Sequence, residues 1–592
     1  MLSPTSESAS TVTFLSVSAL FVHQIFRKFE TFSIPFHAFL LLVPPAIVSH
    51  TVRPTNAGRL TVSELAFCYT TYLGVLALSI VFYRLSPFHP LHQYPGPRWC
   101  RTSMLWHIIR TVDGKQTEYL RYLHDTYGDV VRIGPNHLSV RDLSLINPIL
   151  GPSGIPRAAT YKGVTLSDST VPLIGIQDAT EHARRRRPWN RGLAPSALKD
   201  YDHIMSHRVH QLVDVLGQQE GAVVLGKWIS YFAYMHDGDE GNIWAMVDKG
   251  AQIAFHLGQV PWLGIYVGHI PGAGGPLNLL LEHGRALTKT RVARGSSTRD
   301  LFYYLNNEDI PEESPPPERH LLDDGVLAMI AGSDTSSSAI TSVFHCLLAH
   351  PAAYAVLQDE VDRFYPRGED VCDAMHHREM HYLTAVINET LRLFPPVPTS
   401  NPRQVPHTAP APVVLGPRSL VLPPGTLVYV PPYVLHRDGR NFARPHQQKP
   451  HQALSKQLPD SLVLLKGPEA TSPVTQEPPG KCTFADAAPD VFWPERWLVA
   501  AGHMPLGRAL SLSQAQFELA HAEGAFVPFS HGPMNCAGKA LALRQMRVVV
   551  CALLQQFHFR ASTATTQSHR NLWQSFAMPQ ITTPEARCDP VL

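Results

Sequence analysis

The stretch FSHGPMNCAGKALALRQM, Phe529 to Met546, decides how this chain is read. A single cysteine, Cys536, sits in a loop bounded by Gly532 and Gly538 and opens an apolar helical run that reaches Phe557. Gly532 and Gly538 would let the backbone approach something flat and close. A thiol at a helix start meets free N–H groups and the positive end of the helix dipole, and both favour the thiolate. By itself the stretch also reads as a buried structural cysteine ahead of a core helix. The other seven cysteines lack this setting. Cys68 lies in an apolar N-terminal run, Cys100 beside a proline-rich stretch, Cys346 and Cys551 in helical runs, Cys372 and Cys482 in polar loops, and Cys588 near the terminus.

Three upstream patterns bear on it. DDGVLAMIAGSDTSSSAITSVFHCLL, Asp323 to Leu348, is a long apolar run at helical spacing. Gly332 inside a helix costs about 1 kcal/mol against alanine, so it calls for a local reason; with Ala331 it would open space beside the helix. Asp334 and Thr335 place a carboxylate and a hydroxyl in apolar surroundings, where they are costly unless bonded or used. In AVINETLRLFPPVP, Ala385 to Pro398, Glu389 and Arg392 stand at i, i+3 and can pair; alone, that spacing more often marks a solvated surface pair. FWPERW, Phe492 to Trp497, sets Arg496 among aromatics and says little alone.

Taken together and in this order, the four patterns resemble the cytochrome P-450 superfamily, the haem-thiolate monooxygenases. Phe529, Gly532, Cys536 and Gly538 fit its F-x-x-G-x-x-x-C-x-G loop. Ala331, Gly332, Asp334 and Thr335 fit A-G-x-D-T, Glu389 and Arg392 fit E-x-x-R, and Arg496 fits the arginine that completes a Glu-Arg-Arg triad. The resemblance covers residues 94–590. It implies a mainly α fold with small β-sheets, the triangular cytochrome P-450 haem domain. It also implies haem b (iron protoporphyrin IX) with Cys536 as axial ligand, and Asp334 and Thr335 in proton delivery. The expected reaction is hydroxylation or epoxidation of a hydrophobic small molecule: a terpenoid, an alkaloid or a polycyclic aromatic. No flavin or nicotinamide motif is present, so the implied partners are NADPH-cytochrome P-450 reductase and cytochrome b5. FYRLSPFHPL, GSDTSSS and FSHGPMNCAGK resemble the fungal branch, particularly basidiomycete enzymes of secondary metabolism or xenobiotic oxidation.

The chain departs from the family pattern at several points. Met534 stands where the family has a propionate-binding arginine. The family's W-x-x-x-R aligns with His182 and Arg186, so His182, Arg186, Arg392 and Arg403 are left to bind the propionates or brace the site. Residues 447–481, rich in Gln, Pro, Ser, Thr and Lys, read as a surface or disordered insert, or as retained intron sequence. Near Tyr234 to Asp237 the chain is shorter than the family pattern, in the region that roofs the substrate pocket. These departures keep two alternatives open: an inactive haem-binding relative, and a haem-thiolate isomerase that needs no reductase. The intact Asp334 and Thr335 weigh against the second.

Composition fits a membrane-bound enzyme. Lys and Arg total 50 against 48 for Asp and Glu, a near balance that argues against a nucleic-acid grip. Charged residues make up 17%, below the roughly 25% of soluble domains. Leu65 to Tyr83 carries no charge and approaches the about 20 residues that span a bilayer. Two weaker runs, Val12 to Phe26 and Phe32 to Val48, precede it, and Pro35, Pro44 and Pro45 predict a kinked or re-entrant second one. The expected organisation is a membrane anchor of one to three helices at 1–84, a proline-rich spacer at 85–98 and the haem domain at 99–592. The resemblance places the catalytic domain on the cytosolic face of the endoplasmic reticulum membrane.

Overall fold

The computed structural model describes residues 4–29, 31–51, 61–111, 114–160, 171–234, 250, 256–272, 275–295, 298–417, 419–442, 489–505, 519–561 and 586–590. The 447–481 insert and positions 235–237 of the short region lie outside them.

Three helices come first: α1 (Pro4–Lys28), α2 (Ile34–Thr51) and α3 (Val62–Leu85). Each is long and apolar enough to cross a membrane. Thr61 and Glu64 start α3 with a reciprocal capping box. Leu15, Ala19 and Val22 of α1, Leu40 of α2, and Cys68, Tyr72 and Leu76 of α3 share one core. Phe14, Phe21, Leu42 and Phe82 stay exposed, as a lipid-facing surface requires.

Where the sequence predicts a kinked or re-entrant run, α2 is one helix that continues through Pro44 and Pro45 rather than breaking there. Pro44 has no N–H for the carbonyl four residues back, that of Leu40. The Tyr72 hydroxyl donates to that carbonyl at 2.7 Å and takes the missing donor's place.

The proline-rich stretch after α3 is non-helical as expected, yet it is more than a spacer. Leu91 is buried among Leu138, Val428 and Val430, and the Tyr94 hydroxyl donates to the Val421 carbonyl and accepts from its N–H. The proline-rich stretch is thereby packed onto the body.

The body is mainly helical with small sheets, as predicted. Its helices include α4 (Gln116–Tyr127), α5 (Ala179–Gly192), α6 (Asp202–Gly217), α7 (Leu225–Tyr234), α8 (Glu318–Ala349), α9 (Pro351–Phe364), α10 (His381–Leu393), α11 (Glu495–Ala500) and α12 (Lys539–Gln556). At 32 residues α8 is about 48 Å long. Pro351 stops it, and α9 leaves at 115°. The largest core joins α6 to α10 with α12, whose Val548 to Leu554 are buried all round.

The strands are β1 (Val130–Gly134), β2 (His137–Val140), β3 (Ala222–Val223), β4 (Arg403–Gln404), β5 (Val413–Leu415), β6 (Leu420–Leu422), β7 (Leu427–Tyr429), β8 (Phe557–Ala561) and β9 (Ala586–Pro590). The expected hairpin around Gly134 to Asn136 is β1–β2, paired Val131↔Ser139. It extends through parallel β7 to antiparallel β4, in the order β1-β2-β7-β4. Arg403 on edge strand β4 forms an isolated bridge with Arg157. That bridge brings the two arginines into the site described next.

Candidate active site

The Cys536 loop is held from below. The Cys536 N–H donates to Phe529 O at 2.9 Å and Asn535 N–H to Gly532 O at 3.1 Å, closing a tight turn ahead of α12. Gly532 has φ +74°, and a Cβ there would lie 2.1 Å from the Leu150 carbonyl oxygen. Its glycine is therefore required by the neighbouring chain segment. A Cβ on Gly538 would meet the Cys536 Sγ at an ordinary 3.9 Å. Phe529 packs half-buried on the main core. Cys536 itself is exposed along one side. The protein mass around it still pushes the thiol up by burial, opposed by the Gly538 N–H, Arg186, Arg157 and Lys539.

Positive charge converges on the two residues before that cysteine. Arg186 donates through Nη1 to Asn535 O at 2.6 Å and through Nη2 to Asn535 Oδ1 at 2.8 Å. Arg157 donates through Nη2 to Met534 O at 2.8 Å and through Nη1 to Ile174 O at 3.0 Å. The Arg403 Nη1 lies 2.8 Å from the Met534 sulfur and 3.3 Å from Ile155 O. Arg157 and Arg403 are both buried. Burial, then Arg157, lowers Arg403 to about 10, so it stays a cation at neutral pH.

His182 stands one turn before Arg186 on the same face of α5. It is 2% exposed, and its Nε2 has no hydrogen-bond partner among the described residues. Burial and then Arg157, Arg186 and Arg403 hold it at about 4, neutral at pH 7. A buried ion pair, Arg185–Asp324 at 2.9 Å, anchors α5 to α8. Asp324 also accepts from the Leu173 N–H at 2.8 Å.

On α8, Ala331 and Gly332 are exposed, although Ile340, Val343 and Phe344 of the same helix are wholly buried. Nothing lies within 4 Å of a Cβ built on Gly332. The helix thus presents an open, side-chain-poor patch in mid-protein. Thr335 is half-buried beside it, its hydroxyl donating to Ala331 O at 2.7 Å. Asp334 is buried at 6% exposure.

Glu389, Arg392 and Arg496 form one wholly buried network, which corrects the surface-pair alternative. Arg392 forks onto Glu389 at 2.7 and 2.9 Å, and Arg496 Nε reaches Glu389 Oε1 at 3.1 Å. Trp493 N–H and Trp497 Nε1 add two bonds at 2.9 Å. Burial works to raise the Glu389 carboxyl, but Arg392 and Arg496 outweigh it and hold it at about 2. Arg392 also donates to the carbonyls of His436, Pro489 and Val491. It is spent as a brace, away from Met534.

Two residues escaped the sequence reading. Arg157 is one. The other is His436, wholly buried, which takes the Val527 N–H on Nε2 at 3.0 Å and bonds the Arg392 carbonyl through Nδ1 at 3.1 Å. That pattern requires the neutral ring with its proton on Nδ1. It ties the end of α10 to the chain entering the Cys536 loop.

The residues present fit a haem. They comprise a loop thiol at a helix N-terminus, three guanidinium groups and an unpartnered buried imidazole suited to carboxylates, and an open patch on α8.

Comparison with known proteins agrees with this. The family model described as Cytochrome P450 matches residues 280–462 and 486–583. The break in the match, 463–485, overlaps the later part of the expected insert at 447–481. Cytochrome P450 67 of Uromyces fabae is 27% identical over 568 residues, covering 92% of each chain. Cytochrome P450 monooxygenase nodW of Hypoxylon pulicicidum is 27% identical, covering 84% of this chain and 82% of its own. Tryprostatin B 6-hydroxylase of Aspergillus fumigatus is 26% identical, covering 84% and 80%.

Proposed function

Because the chain belongs to the cytochrome P450 family, the haem-using monooxygenases, we propose that it hydroxylates or epoxidises a hydrophobic small molecule in fungal secondary metabolism. The relative named for 6-hydroxylation of tryprostatin B supports this reading, and an alkaloid, a terpenoid or a polycyclic aromatic is the substrate class. The observation that carries it is the gathering of three arginines and a buried histidine at residues 534–536, beside an exposed loop thiol.

The cofactor is haem b. When bound, it supplies an iron centre that activates oxygen for insertion into an unactivated C–H or C=C bond. Cys536 holds the iron through its thiolate, which Arg186, Arg157, Lys539 and the Gly538 N–H favour. Arg157, Arg186, Arg403 and His182 take the two carboxylates. Arg157 occupies the role left open by Met534, so the family arginine is relocated to another segment. Ala331 and Gly332 keep bulk away from the reacting face. The Thr335 hydroxyl donates to Ala331 O, which leaves its lone pairs to hold a water, and Asp334 replenishes protons there. Glu389, Arg392, Arg496 and His436 brace the loop.

Residues 1–84 anchor the enzyme in the endoplasmic reticulum membrane, with the body cytosolic. Electrons come from NADPH-cytochrome P450 reductase, with cytochrome b5 as a second donor. The 447–481 insert is dispensable for haem binding. Reconstitution with the reductase tests the reading, with a panel of terpenoid, indole and polycyclic substrates. NADPH- and oxygen-dependent product carrying one added oxygen supports it. Turnover without NADPH, or haem binding without turnover across the panel, overturns it.

A further inference from the structure

Three arginines gather where the anchor meets the body. Arg27 and Arg84 lie in the last turns of α1 and α3. Those ends touch: the Arg27 guanidinium sits 4.3 Å above the Tyr83 ring, and His23 meets the same ring edge-on at 5.6 Å. Arg132, wholly buried on β1, donates to Arg84 O at 3.3 Å and to Pro135 O at 2.8 Å. Its Nη1 has no partner among the described residues.

Arg27 and Arg84 line a cleft of about 220 Å³ together with His23, Tyr83, His89 and Asn136 among others, and no carboxylate lines it; Arg132 is not part of that lining but bonds the Arg84 carbonyl behind it. None of the three arginines forms an ion pair among the described residues. Arg84 donates to Thr102 O at 2.6 Å, and Arg27 reaches only Gln24 Oε1 at 3.5 Å besides the Tyr83 ring. Arg27 is exposed and Arg84 half-buried, whereas burial pulls Arg132 below the ordinary arginine range, and desolvated cations without counter-charge are costly. His89 beside them is held at about 3, by burial first and then by Arg132 and Arg84, so it adds no further positive charge to the cleft at neutral pH.

A basic residue in a last helical turn complements the helix dipole. That accounts for Arg27 and Arg84 singly, but not for their sharing one cleft that is free of acid. Position supplies the ligand. The apolar helices end at Lys28 and Leu85, so the cleft stands where hydrocarbon gives way to headgroups, with Tyr83 as an interfacial aromatic. The exposed ring of Phe21 lies nearly two turns before Arg27 and that of Phe82 within the last turn of α3, on the same apolar helices.

We propose that this cleft binds the phosphate of an anionic glycerophospholipid, the headgroup between the ends of α1 and α3 and the acyl chains along their exposed apolar faces. The proposal rests on residues 1–84 being a membrane anchor.

The test uses full-length, haem-loaded protein in nanodiscs of phosphatidylcholine with a minor share of phosphatidylserine. Lipid that stays bound after detergent release is counted by native mass spectrometry. Wild type should retain phosphatidylserine selectively. Arg27→Gln should cut that enrichment about fivefold, the worth of one basic side chain near the headgroups, and adding Arg84→Gln should cut it further. Lys28→Gln, outside the cleft, should leave it unchanged. Arg27→Gln is the decisive variant, since its side chain makes little contact with the body; helical content and the carbonyl spectrum should match wild type. Absence of selectivity, equal retention by Arg27→Gln, or full displacement by inorganic phosphate would each overturn the lipid site. Full-length protein recovered soluble without detergent would instead bring down the anchor reading, and this one with it.

Discussion

Replacing Arg157 with alanine probes the least obvious part of the site. The guanidinium is buried and bonds the Met534 carbonyl at 2.8 Å, two residues before Cys536. If it binds a haem carboxylate, its removal deletes a charge-assisted bond worth about 1.5–3 kcal/mol. That converts to roughly 10- to 150-fold faster haem loss. The assay is haem transfer from purified holoprotein to an excess of a haem-scavenging globin. Arg157 also bonds Ile174 O at 3.0 Å, so its loss could loosen the fold without any part in haem binding. The double variant Arg157→Ala/Met534→Arg separates the two. It restores a cation at the usual family position and should recover most of the wild-type rate, whereas a purely structural defect would persist. Unchanged haem loss in Arg157→Ala, or no recovery in the double variant, would refute the reasoning.

Other expectations follow from the same contacts. Glu389→Ala leaves the wholly buried Arg392 and Arg496 without their carboxylate, a loss of about 3–5 kcal/mol against a total stability of about 5–15 kcal/mol. Little holoprotein should be recovered, and a melting temperature equal to wild type would contradict the buried triad. His436 is held at about 3 by burial and then Arg392, against an ordinary 6.5, so the unfolded chain binds a proton that the folded one refuses. Its stabilisation is complete above pH 6.5 and is lost as pH falls from there towards 3. His436→Gln should therefore flatten the denaturation profile by about 1.4 kcal/mol per pH unit inside that window, and an unaltered slope would refute the role. Thr335→Ala should keep haem and carbon monoxide binding but divert NADPH consumption into peroxide; unchanged coupling would assign proton delivery elsewhere.

How much could be read beforehand depended on sequence distance. The Cys536 loop, the A-G-x-D-T stretch and the E-x-x-R pair are local patterns whose spacing survives in the chain. The mainly helical class and the β1–β2 hairpin were legible for the same reason. Arg157 meets Met534 across 377 positions and His436 meets Val527 across 91. Neither partner leaves a periodic trace. Pro44 and Pro45 do not break α2, and what sequence could not show is that a tyrosine on the next helix supplies the donor that Pro44 lacks. The sequence marks Gly532 for close approach to a flat group, and only the structure adds the Leu150 carbonyl as a second neighbour that requires glycine there.

The central proposal is that Cys536 would hold haem iron through its thiolate. The ferrous–carbonyl spectrum tests it most directly, because sulfur donation to the iron shifts the Soret band strongly to the red, as an imidazole ligand does not. Wild-type protein should show the shifted band, and Cys536→Ser should lose it together with activity. An unshifted band in wild type, or a shifted one that survives in Cys536→Ser, would contradict the account.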